Sequence, residues 1–144
     1  MSALRLPLLL ALSLVFAGCG GGTLSVLHSK GKPTGDGAAE LALKNSSGSG
    51  IDKVYVAKTE AVDQAHESGV SPGSGADEQL WGDDQLGNAG ILEGRTWKAL
   101  HLAEGRYDVL LVAHDHREQL VKHLDLKSGG RYLLEVNDDW MMGR

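Results

Sequence analysis

The chain has 144 residues, a formal net charge of −5 and a single cysteine. The acidic balance disfavours nucleic acid or an anionic membrane surface as a partner, because both require clustered Lys and Arg. One cysteine excludes a disulfide within the chain, so stability must come from a packed core or from assembly.

The N-terminal segment has the organisation of a bacterial signal peptide. Arg5 supplies a positive charge, and an apolar run follows from residue 6 to residue 17. As a helix this run would span about 18 Å, well short of the roughly 30 Å bilayer core. Its length therefore fits a cleaved signal peptide rather than a membrane-spanning helix.

Small residues close this run, and the Ala17-Gly18-Cys19 ending resembles the lipobox of bacterial lipoproteins. Phe16 stands where that family usually carries leucine. The resemblance implies that the Cys19 thiol receives a diacylglyceryl group and that a dedicated peptidase removes residues 1–18, after which the new amino terminus is acylated. The alternative is an ordinary signal peptide with an incidental cysteine near the cleavage point. Gly20, rather than aspartate, follows the cysteine, which resembles the default outer-membrane address of Gram-negative lipoproteins and predicts a domain facing the periplasm.

Residues 19–37 are predicted to be the lipidated cysteine and a flexible linker, because they are rich in Gly, Ser and Lys. The apolar residues 24–27 could instead dock on the domain. Residues 38–144 are predicted to form one domain, since about 105 residues can build one small core and not two. Removal of residues 1–18 takes away Arg5 and no acid, which leaves 13 basic and 19 acidic side chains and a formal charge of −6.

Alternating polar and apolar residues predict strands over 40–44 and 51–58, and the Ser- and Gly-rich turn between them favours a hairpin. Residues 60–84 contain seven acids and no Lys or Arg, and form either a long surface loop or a short helical turn over 60–67. Four further strands are predicted over 96–102, 106–113, 119–126 and 131–136. Their short separators leave no room for crossover helices, which favours antiparallel neighbours.

These elements predict an all-β fold, a small antiparallel β-sandwich that is Ig-like or a partly open barrel, with six to seven strands. Ten side chains are expected to point inward: Leu100, Leu102, Tyr107, Val109, Leu111, Leu124, Leu126, Tyr132, Leu134 and Val136.

Several landmarks of residues 38–136 resemble a recurrent small all-β domain of bacterial envelope and secreted proteins, a family without a settled activity. They are Asn45 with Ser47-Gly48, Val54-Tyr55-Val56, Trp81-Gly82-Asp83-Asp84 with Leu86-Gly87, Leu92 with Gly94, and Gly105 to Val109. Members often carry Asp-Gly in the turn that here reads Asp115-His116. The resemblance implies a fold and no particular activity.

The Trp81-Gly82-Asp83-Asp84 turn is a candidate binding surface. Its adjacent carboxylates could coordinate Ca²⁺, with Asp77, Glu78 and Asp115 brought near by folding, although their spacing does not follow an EF-hand loop. The structural alternative is that Trp81 packs as an anchor and that Asp83 or Asp84 caps the turn through backbone N–H groups.

His114, Asp115 and His116 form a candidate metal site, because two histidines in one turn could converge on Zn²⁺ or Cu²⁺. His101 and His123 lie in neighbouring predicted strands, so a three-histidine site is conceivable. Exposed turn histidines without a metal are the alternative. A structural zinc site needs four ligands, and the cysteine is assigned to lipid.

The letters Gly-x-Ser-x-Gly occur at residues 69–73 and Ser-x-x-Lys at residues 29–32, but the first does not follow a predicted strand and the second lies in the predicted linker. There is no glycine-rich phosphate loop, so we expect a protein that is not an enzyme and uses no cofactor. The expected function is a binding or scaffolding module for an envelope protein, held on the membrane by lipid. The alternative is a periplasmic metal-binding lipoprotein. At the C-terminus the Trp140-Met141-Met142 tail could cover a sheet edge or serve as an exposed docking peptide.

Overall fold

The computed structural model describes residues 22–26, 38–73 and 78–140, with the backbone alone for residues 22–26. Two β-sheets pack face to face in this part of the chain. In chain order the elements are β1 (Gly22–Val26), β2 (Ala39–Asn45), β3 (Ile51–Lys58), α1 (Thr59–Glu67), α2 (Glu78–Trp81), β4 (Leu100–Leu102), β5 (Gly105–Ala113), β6 (Glu118–Leu126) and β7 (Arg131–Val136).

The first sheet has the strand order β1-β7-β2-β4 and the second has the order β3-β5-β6. All strand pairs are antiparallel except β2 and β7, which run parallel. The predicted small all-β sandwich is confirmed. The predicted strand over 96–102 is shorter than expected, since β4 begins at Leu100 and Thr96 makes only an isolated bridge to Lys44.

The predicted hairpin between residues 40–44 and 51–58 is wrong, because β2 and β3 lie in different sheets. Asn45 organises the turn that carries the chain across. Its Nδ2 donates hydrogen bonds to the carbonyl oxygens of Ser49 (2.8 Å) and Ile91 (2.9 Å). Its Oδ1 accepts hydrogen bonds from the backbone N–H (3.0 Å) and the hydroxyl (2.6 Å) of Ser47. The buried amide thus holds the chain in a crossover rather than a hairpin.

The segment predicted as a flexible linker contains β1, which corrects that prediction over residues 22–26. β1 pairs with β7 in a register that places Gly22 opposite Val136 and Val26 opposite Tyr132. The alternative, in which the apolar residues 24–27 dock on the domain, is therefore supported for residues 24–26. Cys19 and residues 27–37 lie outside the described residues.

The main core lies between the two sheets. Eight of the ten side chains that were expected to point inward are buried there, and Leu100 and Leu102 are half-buried against the same cluster. Strand alternation explains this agreement, since residues two apart share a face of the sheet.

A third layer covers the outer face of the second sheet. α1 confirms the helical alternative for residues 60–67, and α2 follows it as a single turn. Val62 and Trp81 pack on Ala57 and Leu110, which lie on the face of the sheet opposite the main core. The acidic segment therefore contains two helices that pack on the sheet, and it is not a loop along its whole length.

Asp108, which lies opposite a β-bulge in β6, connects this helical layer to the sheet. One residue of β5, Asp108, lies opposite two residues of β6, Lys122 and His123, and His123 has a φ of 61°. Asp108 is fully buried, and its Oδ1 accepts hydrogen bonds from the His123 backbone N–H (2.9 Å) and the Thr59 hydroxyl (2.7 Å). α1 begins at Thr59 without a side-chain cap, so this contact fixes its first turn.

Candidate functional site

Trp81 belongs to the core of the outer layer and not to an exposed binding surface. Only 4 % of the residue is exposed, and its ring packs with Val62 and Leu110 beneath α1. The structure thus supports the alternative in which this tryptophan is an anchor. It corrects the prediction that Trp81 itself offers a contact to a partner.

The two carboxylates that follow Trp81 have different positions. Asp84 Oδ1 accepts hydrogen bonds from the backbone N–H groups of Val54 (2.9 Å) and Leu86 (3.0 Å), which pins the loop to β3. This is the capping role that the sequence offered as the structural alternative. Asp83 is exposed, and its backbone carbonyl accepts a hydrogen bond from Gln85. Of the pair, only Asp83 presents its carboxylate freely to solvent.

The exposed side of the outer layer is acidic. Glu60 and Glu67 of α1 are exposed, and Asp63 is half-buried with an ion pair of 3.5 Å to Lys122. Asp83 adds a further exposed carboxylate just after α2, which packs on α1. We call Glu60, Asp63, Glu67 and Asp83 the acidic face. Since α1 rests on buried Val62 and Trp81, this face is held on a fixed support.

The His114-Asp115-His116 turn joins β5 to β6 at one end of the second sheet. His114 is highly exposed, with its Nδ1 2.9 Å from Asp52 Oδ2. Arg117 donates a hydrogen bond of 2.7 Å to Asp115 and thereby holds the pKa of that carboxyl below its ordinary value. His116 is exposed and has a φ of 65°. Asp115 is thus committed to an arginine, which disfavours a cation beside it.

The conceivable site with three histidines is not assembled. His101 lies on β4 in the first sheet, whereas His123 lies on β6 in the second sheet. Across residues 38–73 and 78–140, no three His, Cys, Asp or Glu side chains form a group that could hold a metal ion. Asp77 lies outside the described residues, as does the side chain of Glu78.

A shallow groove of about 360 Å³ lies between the start of β3 and the loop that covers its edge. It is lined by residues 50–53 and 87–92. Ile51 and Ile91 form its base through two backbone hydrogen bonds of 2.8 and 3.0 Å. Gly87 and Gly90 have φ angles of 57° and 59°, which favour glycine and shape the rim. The sequence marks a turn here, but the pairing that creates the groove is long-range.

The C-terminal segment, residues 137–140, packs at the end of the sandwich where the turn at residues 45–50 lies. Trp140 is 8 % exposed and belongs to the main core, so at this residue the tail packs on the fold and is not an exposed docking peptide. The Arg117 guanidinium carbon lies 6.0 Å from the centre of the Trp140 ring. Asp138 Oδ1 accepts a hydrogen bond of 2.6 Å from the Gly48 N–H. Met141 and Met142 lie outside the described residues.

No protein-family model matches the chain, and no curated protein matches it. The described helices include none with the length and apolar character needed to cross a bilayer. The family resemblances drawn from the lipobox and from the domain landmarks therefore stay predictions. The landmarks nevertheless have identifiable structural roles, since Asn45, Trp81 and Asp84 each fix a turn or a layer.

Proposed function

We propose that this chain is a bacterial lipoprotein anchored by lipid at Cys19, with residues 1–18 removed as a signal peptide. The observation that carries the proposal is the Ala17-Gly18-Cys19 ending directly after an apolar run of signal-peptide length. Cys19 is the only cysteine of the chain, so it has no partner for an internal disulfide. Two or three acyl chains together hold a protein firmly on a membrane, whereas one alone binds reversibly.

The β-sandwich of this lipoprotein is a non-enzymatic binding or scaffolding module in the cell envelope. The acidic face supports this role, because Glu60, Glu67 and Asp83 are exposed and rest on a packed layer. A fixed array of carboxylates favours a protein partner with Lys and Arg on its surface and raises the rate of encounter. The expected location is the outer membrane with the domain in the periplasm, as the Gly20 that follows Cys19 indicates.

Lipidation is tested with a Cys19→Ala variant in a bacterial host supplied with labelled palmitate. The native chain should incorporate the label and be found in the membrane fraction after cleavage. The variant should keep its N-terminal segment and incorporate no label. A variant that matures and labels like the native chain would overturn the anchor.

Partner binding is tested by cross-linking the lipidated protein in isolated envelope membranes and identifying the captured protein. Replacing two carboxylates of the acidic face, Glu60→Gln plus Glu67→Gln, should abolish capture of that protein. The matched control removes two exposed charges elsewhere, with Glu93→Gln plus Asp139→Asn, and should leave capture unchanged. Equal capture by both double variants would remove the acidic face as the binding surface.

A metal-binding lipoprotein is the second candidate, and one observation favours it. Asp52 contacts His114 Nδ1, and metal-ligating histidines usually have their other ring nitrogen held by such a carboxylate. Calorimetric titration of the folded domain with Zn²⁺, Cu²⁺ and Ca²⁺ separates the two candidates. Sub-micromolar binding that His114→Ala plus His116→Ala abolishes would favour the metal function over the binding module.

A further inference from the structure

The short chain between Cys19 and β1 limits how far the proposed lipid attachment can be from one end of the sandwich. β1 starts at Gly22, opposite Val136 at the end of β7. Only Gly20 and Gly21 separate Gly22 from Cys19, so the two Cα atoms can be at most about 11 Å apart. The long segment 27–37 does not intervene, because it follows β1 and leads to β2. No long linker therefore separates the proposed lipid attachment at Cys19 from the first strand of the domain.

Three segments meet at this end, which we call the anchor end: residues 45–50, 114–117 and 136–140. The Ser46 N–H donates to the Val136 carbonyl (2.9 Å), and the His114 N–H donates to the Gly50 carbonyl (2.8 Å). The distal end holds the turns at 103–104 and 127–130, where the Ser128 N–H donates to Glu104. β5 spans the two ends with nine residues, about 27 Å.

The anchor end also carries an exposed apolar side chain. Leu92 is 72 % exposed and is the one large hydrophobic residue with this exposure in the described part of the chain. Its position at this end follows from its neighbours, since Gly94 N–H donates a hydrogen bond of 2.6 Å to the Asn45 carbonyl. A single exposed apolar side chain does not by itself mark a contact, so the case for this end rests on its closeness to Cys19 along the chain, and Leu92 provides the position at which a contact is tested.

We propose that the anchor end lies against the bilayer to which Cys19 is attached, with Leu92 in contact with the lipid interface. This orientation rests on the proposed lipidation and adds the surface through which the domain meets the membrane. The distal end then points away from the membrane, and the acidic face on the side of the sandwich stays accessible to a partner. Asp52, Asp115, Asp138 and Asp139 lie at the anchor end together with Lys53, Arg95 and Arg117. These charges form no basic cluster, so the contact requires no anionic lipid.

The test uses two matched alanines, both exposed, at opposite ends of the sandwich. Ala89 lies in the groove loop near Ile51, and Ala103 lies in the distal turn after β4. Ala89→Cys and Ala103→Cys are made in the lipidated protein, where acylation removes the Cys19 thiol and leaves one reactive cysteine. Each is labelled with a donor fluorophore and added to phosphatidylcholine vesicles that contain an acceptor-labelled lipid. Energy transfer from position 89 should exceed transfer from position 103 several-fold.

A third label reports the contact itself. Leu92→Cys with an environment-sensitive fluorophore should shift its emission to the blue on vesicle binding, whereas the same label at position 103 should not shift. Insertion of about twelve Gly and Ser residues between Gly21 and Gly22 should lower transfer from position 89 toward the value at position 103. Thermal unfolding checks that every labelled variant retains the native fold.

Two contrary results are distinguishable. Equal transfer from positions 89 and 103 in protein that floats with the vesicles would overturn the orientation and leave the lipid anchor intact, and an unshifted emission at position 92 would do the same. Absence of vesicle binding by the native chain, with no lipid on Cys19, would overturn the proposed function together with the orientation.

Discussion

The Thr59 hydroxyl donates a 2.7 Å hydrogen bond to the buried Asp108 carboxylate and so ties the first residue of α1 to the middle of a sheet. The same Asp108 oxygen accepts the His123 N–H at the bulge in β6. One carboxylate oxygen therefore accepts hydrogen bonds from both the buried Thr59 hydroxyl and the His123 backbone N–H. The layer that carries the acidic face depends on this contact for its position.

Asp108→Ala is expected to lower the free energy of unfolding by about 3 kcal/mol, because the Thr59 hydroxyl and the His123 N–H lose their common acceptor. Thr59→Val should cost about 1 kcal/mol, and Thr59→Ser, which keeps the hydroxyl, should cost less. Urea unfolding followed by tryptophan fluorescence measures each value. An Asp108→Ala protein with the native urea midpoint would contradict the role of this carboxylate.

Asn45 is the second buried polar residue on which the fold depends, since its amide makes four hydrogen bonds in the crossover between the sheets. Asn45→Ala should lower the free energy of unfolding by about 3–4 kcal/mol. The matched control is Asn88→Ala, an exposed amide in the groove loop, which should change stability by less than about 0.5 kcal/mol. Comparable urea midpoints for the two variants would show that the crossover does not depend on Asn45.

The strands themselves could be predicted from the sequence. The bounds of β3 and β7 agree with the predicted 51–58 and 131–136, and those of β5 and β6 differ from the predicted bounds by one residue. Each of these segments alternates polar and apolar residues or carries a continuous apolar run, so local chemistry determines it. The side chains expected in the core follow from the same alternation.

Which strands pair could not be predicted in the same way. The turn after Asn45 has the composition of a hairpin turn, yet its amide bonds to Ile91, a residue 46 positions away. The parallel pairing of β2 with β7 and the docking of β1 also join distant segments. Local composition does not reveal such contacts, and for the same reason the sequence left Trp81 open between a surface contact and a packing anchor and missed the groove.

Glu135 provides a test by titration. The Ser46 hydroxyl donates a 2.6 Å hydrogen bond to its carboxylate and, with Lys44 Nζ at 3.0 Å, holds the pKa of Glu135 below its ordinary value. The ionised form is favoured in the folded state, so this contribution to stability is present above the unfolded pKa and is lost as the pH falls through the folded pKa.

Ser46→Ala should therefore raise the pKa of Glu135, and Lys44→Met should raise it by less, because the hydroxyl is the larger cause. Carboxyl carbon chemical shifts followed by NMR between acidic and neutral pH measure both variants. The control is Asp115, whose pKa is lowered by the Arg117 side chain and should be the same in both variants. A larger rise in Lys44→Met than in Ser46→Ala would reverse the assignment of the dominant contact.

Substitution of Trp81 tests whether its ring only supports α1 or also contacts a partner protein. Trp81→Ala should lower the free energy of unfolding by about 3–5 kcal/mol, because a buried ring is removed from the cluster with Val62 and Leu110. Trp97→Ala is the matched control, since Trp97 is only partly buried beside the main core and should cost less. If the Trp81→Ala variant has the same urea midpoint as the native protein but no longer captures the partner, the ring contacts that partner directly. If it loses stability, any loss of binding follows from the displaced α1, and the carboxylates that α1 presents remain the groups to vary.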